Sequence, residues 1–166
     1  MNVGLEKLPN HSRIWIYQAP RPLTVEEREV IAAELENFVS DWKAHGKELF
    51  AGYALLHRRF IILAVDESVQ PATGCSIDDS VAVIRKIQDQ INLDLMDRMQ
   101  IAFRSENNLV VSTDMSSFKT MAVEGEIDEE TMVFNNLVSN LGEFRTKWEV
   151  PAKDSWHSKY FAKVNS

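Results

Sequence analysis

The sequence predicts an α+β fold built on an antiparallel sheet, and three observations carry that expectation. Apolar residues switch along the chain between a period of two and a period of 3.6. The stretches so marked run strand, helix, strand, strand, helix, strand, and Pro, Gly or Asn residues separate most of them. That order is the βαββαβ arrangement of a ferredoxin-like sheet with two helices on one face. At 166 residues and 45% hydrophobic content, the chain can bury a proper core in one domain with a small appended lobe.

Arg13-Ile14-Trp15-Ile16-Tyr17-Gln18 is β-branched or aromatic at its centre and reads as a strand, ended by Pro20 and Pro22. Thr24 and Glu27 have capping-box spacing: the hydroxyl accepts from the Glu27 amide and the carboxylate reaches back. From there to about Lys43, Ile31, Leu35, Phe38 and Trp42 form one helical face, with Gly46 as its stop. Strands are expected over 49–57 and 60–66, joined as a hairpin at Arg58-Arg59. Ser76 is the expected N-cap of a second helix, with a stripe of Ile77, Val81, Ile84, Ile87 and Ile91. Met99–Phe103 is the expected fourth strand of the sheet.

Residues 1–105 read as the ferredoxin-like core and 106–166 as a small α+β C-terminal lobe or extension. In the latter, a strand at Leu109–Val111, a short helix capped by Ser116 or Ser117 and stopped at Gly125, and a strand at Thr131–Phe134 precede an irregular, aromatic-rich end. Both faces of the predicted sheet are apolar. Ile14 and Ile16 oppose Trp15 and Tyr17, while Ile61, Leu63 and Val65 oppose Phe60, Ile62 and Ala64. Helices cover one face, so the other needs the C-terminal lobe, a second copy of the chain in a homodimer, or an apolar ligand.

Charge narrows the function classes. The net charge is −7, yet Arg145, Lys147, Lys153, Lys159 and Lys163 against Glu149 and Asp154 leave the last 22 residues at +3 and the body at −10. An acidic body is a poor match for phosphate backbones, which argues against a nucleic-acid partner. No apolar run approaches the roughly 18 residues that cross a bilayer. MNVGLEKLPNHSR lacks the apolar core of a signal peptide, and one cysteine suits a reducing compartment, so the expected location is cytoplasmic.

The run Ile61–Glu67 has the outline of the apolar strand ending in Asp-Glu that P-loop ATPases use at magnesium. The glycine loop that must accompany it is missing. The chain's Gly46-Lys47 pair is followed by Glu48, with Asp41 where the first glycine belongs. SRIWIYQ, FIILAVDE, GCSIDDSV, DLMDRMQIAF, VFNNLV and WEVPAKDSWHS together resemble a small family of uncharacterised bacterial proteins often labelled "ABC transporter ATPase". That resemblance implies kinship and brings no catalytic residue with it. Residues 116–152 are also similar to the second type of GYF domain, with a short helix, a glycine stop and a G-x-I-x-x-x-T-x-V strand before a Trp-containing end. The resemblance makes Phe118, Ile127 and Val133 core and Gly125 the helix stop. This chain has Val133-Phe134 and Asn135-Asn136-Leu137 where that family has Val-Trp and Gly-Met, so peptide-binding aromatics do not carry over.

The chemistry-bearing residues are few. Cys75 lies near a helix start, where amides favour a thiolate, and His157 could serve as its base; these two are the catalytic candidates. Asp78 and Asp79 oppose a thiolate, Val81 stands where a phosphatase loop needs Arg, and the bland role for Cys75 is a half-buried structural thiol. No Cys pair or His spacing marks a metal site, and no cofactor is expected. Asn135, Asn136, Trp148, Trp156 and His157 form the densest polar and aromatic set. The expected function is binding of a protein partner or polar small molecule. Its expected place is the seam between Gly74–Ser80 and the 135–158 segment, through Cys75, Ser76, Asn135, Asn136, Trp156 and His157. The alternative is a cysteine- or histidine-dependent hydrolase or transferase, with ATP hydrolysis last.

Overall fold

The structure, a computed structural model, describes residues 1–161; Lys163 of the basic end lies outside them. The chain is a mixed α+β protein with antiparallel sheets and forms two compact units. One comprises 1–96 with 139–142; the other comprises 97–138 with the described residues from 143 on.

The first unit holds a three-stranded sheet in the order β1 (Arg13–Gln18), β5 (Phe60–Val65), β4 (Ala51–Leu56). Both pairings are antiparallel, with Trp15 and Tyr53 each opposite Leu63. Helix α1 (Val25–Asp41) has the capping box legible in the sequence, with Glu27 N–H to Thr24 Oγ1 at 3.1 Å and Thr24 N–H to Glu27 Oε1 at 2.8 Å. Helix α2 (Gly74–Ile91) joins α1 over one face of the sheet, where Ile31, Leu35, Ile84 and Ile87 meet Tyr17, Ile61, Leu63 and Val65.

Three expectations are corrected here. Gly46 does not stop α1: the helix ends at Asp41, and Gly46, at φ 73°, turns the small ladder of β2 (Lys43–Ala44) and β3 (Lys47–Glu48). Ser76 does not cap α2. Thr73 does, because its side chain accepts from the Ser76 amide while Ser76 Oγ accepts from the Thr73 amide. Nor does the expected fourth strand join this sheet, so the ferredoxin-like βαββαβ sheet is not confirmed. β6 (Gln100–Arg104) is instead an inner strand of the second unit, where a neighbouring hairpin partner is available immediately downstream.

The second unit has a four-stranded antiparallel sheet in the order β7 (Val110–Asp114), β6, β8 (Met132–Phe134), β9 (Glu149–Pro151). Helix α3 (Met115–Val123) is capped by Asp114, whose Oδ1 accepts from the Ser117 amide at 2.7 Å. The expected Ser116 and Ser117 caps sit two and three residues too late, inside the first turn. Gly125, at φ 76°, follows the helix, with its N–H and that of Glu126 closing on Ala122 and Met121 carbonyls. Helix α4 (Leu141–Lys147) begins in the 139–142 piece of the first unit, where Leu141 N–H meets the Ser12 carbonyl at 2.9 Å.

Both faces of the first sheet are covered, and one glycine shows what lies on part of the second. Ile14, Phe60, Ile62 and Ala64 on that face are all buried. Gly52 pairs with Ala64 on it, and a Cβ at Gly52 would stand 2.7 Å from the Leu5 nitrogen and 2.9 Å from the Gly4 carbonyl carbon. The N-terminal segment therefore lies directly on the sheet there. Gly52→Ala should destabilise the protein by about 1–3 kcal/mol in urea unfolding, since backbone rather than a side-chain tip must move. Gly74, whose Cβ would meet nothing within 4 Å, is the control and should tolerate alanine without comparable loss.

Candidate functional site

Cys75 and Ser76 lie in the first turn of α2 in the first unit; Asn135, Asn136, Trp156 and His157 lie in the second. Cys75 is exposed, not half-buried. Ser76 is 1% exposed and committed to structure. Its Oγ donates to the Thr73 carbonyl at 2.8 Å, and its own carbonyl accepts from Trp42 Nε1 at 2.8 Å. The Asp66-Glu67 pair at the end of β5 organises the following loop. Asp66 Oδ1 accepts from Ser68 N–H and Oγ–H at 3.0 and 2.6 Å, and Glu67 Oε2 from Ala72 N–H at 3.0 Å.

In the second unit the polar set divides in two. Asn135 and Asn136 fasten Trp148 just beyond the β8–β9 ladder. The Asn135 amide donates to the Trp148 carbonyl at 2.6 Å, and Trp148 Nε1 donates to Asn136 Oδ1 at 2.8 Å. Asn135 Oδ1 also accepts from Leu137 N–H at 3.1 Å, shaping the turn. The Trp148 ring lies 4.8 Å from Phe134 and 4.7 Å from Phe144.

The other group gathers on Phe118 of α3, which is fully buried. Rings of Phe103, Tyr160 and His157 stand 5.6, 5.2 and 5.9 Å from it. Trp156 stacks on His157 at 3.9 Å and 26°. Ser155 Oγ is 2.7 Å from His157 Nδ1, while His157 Nε2 and Trp156 Nε1 are buried with no hydrogen-bond partner among the described residues. Burial first, and the Lys159 charge second, push the His157 pKa down to about 4, so the imidazole is neutral near pH 7. A buried neutral ring holding a short C-terminal 3-10 turn (Trp156–Phe161) acts as packing, with a polar handle to Ser155.

Among the described residues no group of three His, Cys, Asp or Glu side chains could hold a metal ion, and no helix is long and apolar enough to cross a membrane. Sequence reading missed a surface formed where α3 ends. The loop Gly125–Glu130 is fixed by hydrogen bonds from Asp128 N–H to Thr131 Oγ1 (2.9 Å), Glu130 N–H to Asp128 Oδ1 (2.8 Å) and Thr131 N–H to the Asp128 carbonyl (3.1 Å). Beside it lies an open depression of about 580 Å³ whose apolar walls include Ala122, Val123, Ile127 and Tyr160, with Asp128, Glu129 and Glu130 on its rim. Glu130 pairs with Lys153 Nζ at 2.6 Å. Its signal in the sequence is EGEIDEE, five acids around one buried isoleucine. Comparison with protein-family models, curated proteins and solved structures finds no match in any of the three.

His157 sets a pH dependence. Its folded pKa of about 4 lies below the ordinary 6.5, so the unfolded chain binds the proton first as pH falls. Stability from this group is full above pH 6.5, declines from 6.5 to 4, and is constant below, a loss of about 3 kcal/mol. In urea titrations across that window, His157→Phe should flatten the slope whatever its absolute stability; an unchanged slope contradicts the assignment. Cys75 generates a simpler expectation. One equivalent of iodoacetamide should be taken up by the native protein without denaturant, and Cys75→Ser should abolish it.

Proposed function

We propose that the chain is a cytoplasmic binding protein that takes a cationic segment of a protein partner into the acid-rimmed depression beside Gly125–Glu130, and that this, rather than a reaction, is its role. The observation that carries the reading is the pairing of an apolar floor with surplus negative charge on a loop held rigid by its own hydrogen bonds. Val123 is 78% exposed at the edge of this surface, an apolar side chain left in water beside the acids. A rigid loop loses little entropy on binding, and lysine or arginine side chains can lay their alkyl stems on the floor while their charges meet Asp128 and Glu129.

The reading moves recognition away from Gly74–Ser80 and 135–158. Ser76, Asn135, Asn136 and His157 are tied into hydrogen bonds or core and offer a ligand little. The similarity of 116–152 to the second type of GYF domain is compatible with a peptide ligand. Helix α3 ends before Gly125, and Ile127 and Val133 are buried. The ATPase label of the resembling bacterial family is not adopted, because Asp66 and Glu67 hold a loop together.

Fluorescence anisotropy with an array of labelled peptides alternating Lys/Arg and apolar residues tests the proposal. At least one should bind the full chain saturably at low ionic strength and weaken with salt. The double change Glu129→Gln, Glu130→Gln removes two exposed charges from the rim and should weaken binding about tenfold or more at nearly unchanged melting temperature. Asp89→Asn on α2 should have no effect. Equal binding by the double variant, or no saturable binding by any cationic peptide, overturns the reading.

A further inference from the structure

The first unit carries a second surface, of opposite sign. We infer that the depression between the N-terminal half of α1 and the β4–β5 turn binds a small organic anion, a carboxylate or phosphate group on an apolar body. The cavity is about 520 Å³, within the range that small molecules occupy. Val25, Arg28, Glu29 and Ala32 line it from α1 at helical spacing i, i+3, i+4 and i+7, and Leu23 and Leu55 complete an apolar floor. Arg28, His57 and Arg58 surround that floor, against one carboxylate, Glu29.

Two features mark Arg28 and Arg58 as available to a ligand. The chain has 25 acids and 18 Lys or Arg residues, and Arg13, Arg21 and Arg104 each face a carboxylate. Arg28 and Arg58 face none among the described residues; Arg28 Nε makes one long bond, 3.4 Å, to the Thr24 carbonyl. A guanidinium fork matches a carboxylate or phosphate in two parallel hydrogen bonds, so two such forks over an apolar floor favour an amphiphilic oxyanion.

The turn supplies the second feature. Arg59 N–H closes it on the Leu56 carbonyl at 3.0 Å, and its two central residues, His57 and Arg58, take φ of 53° and 58°. Glycine or asparagine adopts that conformation readily; a side chain as long as arginine does so under strain. Leu23 N–H bonds to the Arg58 carbonyl and Ala19 N–H to that of Arg59, both at 2.7 Å, so the strained pair is held fixed against the 19–23 loop. Next in the turn, Arg59 is buried and donates from Nη1 to the Ala19 carbonyl at 3.3 Å. Local stability alone favours Asn-Gly here, whereas anion binding favours His-Arg.

That opposition gives the test. Isothermal titration calorimetry on the full chain uses phenyl phosphate, phenylacetate, inorganic phosphate and benzyl alcohol. Saturable binding of phenyl phosphate or phenylacetate is expected, about tenfold or more tighter than inorganic phosphate or benzyl alcohol, and the tighter of the two identifies the head group. The double change His57→Asn, Arg58→Gly should raise or preserve the melting temperature and weaken binding about tenfold or more; Arg28→Gln should weaken it as well. Four results overturn the inference. These are no saturable binding of either aromatic anion up to tens of millimolar, inorganic phosphate as tight as phenyl phosphate, unchanged affinity in the variants, or a lower melting temperature in the Asn-Gly variant. The two surfaces share no residue, so failure here leaves the cationic-peptide reading to its own test.

Discussion

Strand β5 runs Phe60 to Val65 with every residue buried, and an antiparallel strand dry on both faces must be covered twice. The rest of the first unit follows from that requirement. On one side α1 and α2 supply Ile31, Leu35, Ile84 and Ile87, and a fully buried apolar side chain is worth about 1.5–3 kcal/mol. On the other, the N-terminal segment comes so close that residue 52 has no room for a Cβ. The segment 139–142 is drawn to the same unit by the Ser12 and Asn10 carbonyls, which accept from Leu141 and Gly142 amides at 2.9 and 2.8 Å. A short piece of distant sequence is thereby fixed to the start of β1, with Arg13 bridged to Asn140.

The second unit solves a smaller version of the same problem with aromatic rings. Alternation along the sheet sends Phe103 and Val133 to the side of α3 and Phe134 to the opposite side, where Trp148 and Phe144 meet it. Arg104, on the Phe134 side, lies 5.8 Å over that ring and pairs with Glu149 through two hydrogen bonds of 2.9 and 3.1 Å. Around Phe118 the C-terminal 3-10 turn brings Trp156, His157 and Tyr160 onto the core. Among the described residues His157 Nε2 and Trp156 Nε1 find no hydrogen-bond partner, a cost of about 1–3 kcal/mol each that the ring contacts holding the segment down offset.

Local chemistry was legible in the sequence; pairing between distant strands was not. Thr24 and Glu27 form the box their spacing announces, because a cap depends on four adjacent residues. The two-sided apolar pattern of β1 and β5 required two covers, and both faces are covered. Ser76 was misread because Thr73, three residues earlier, offers an equal hydroxyl, and which one caps depends on where the loop from Pro71 enters. Strand Gln100–Arg104 looked like a fourth partner for the first sheet because element order was used as topology. Its five-residue ladder with Val110–Asp114, closed by a short turn, involves far less loop-closure entropy than reaching back to β1 or β4. At the candidate site, residue type was a poor guide to availability. Asn136, Ser76 and His157 are polar, but only the fold reveals that each is already engaged or buried.

Both proposed surfaces escaped notice because their signal lies in what the charges lack rather than in any motif. EGEIDEE and HRR are ordinary strings until the ion pairs are drawn. Then Glu130 forms an ion pair with Lys153 while Asp128 and Glu129 form none among the described residues, and Arg21 has Glu27 while Arg28 and Arg58 have no carboxylate partner among the described residues. Exposed ion pairs add little to stability, so leaving such charges unmatched costs the fold almost nothing. Backbone strain is different. Placing histidine and arginine at φ 53° and 58° costs the fold free energy in every molecule, bound or not, and Asn-Gly would relax both positions. Of the two surfaces, the β4–β5 turn is therefore the one where structure and stability pull apart, and a conformation held against its own cost implies a return outside the fold.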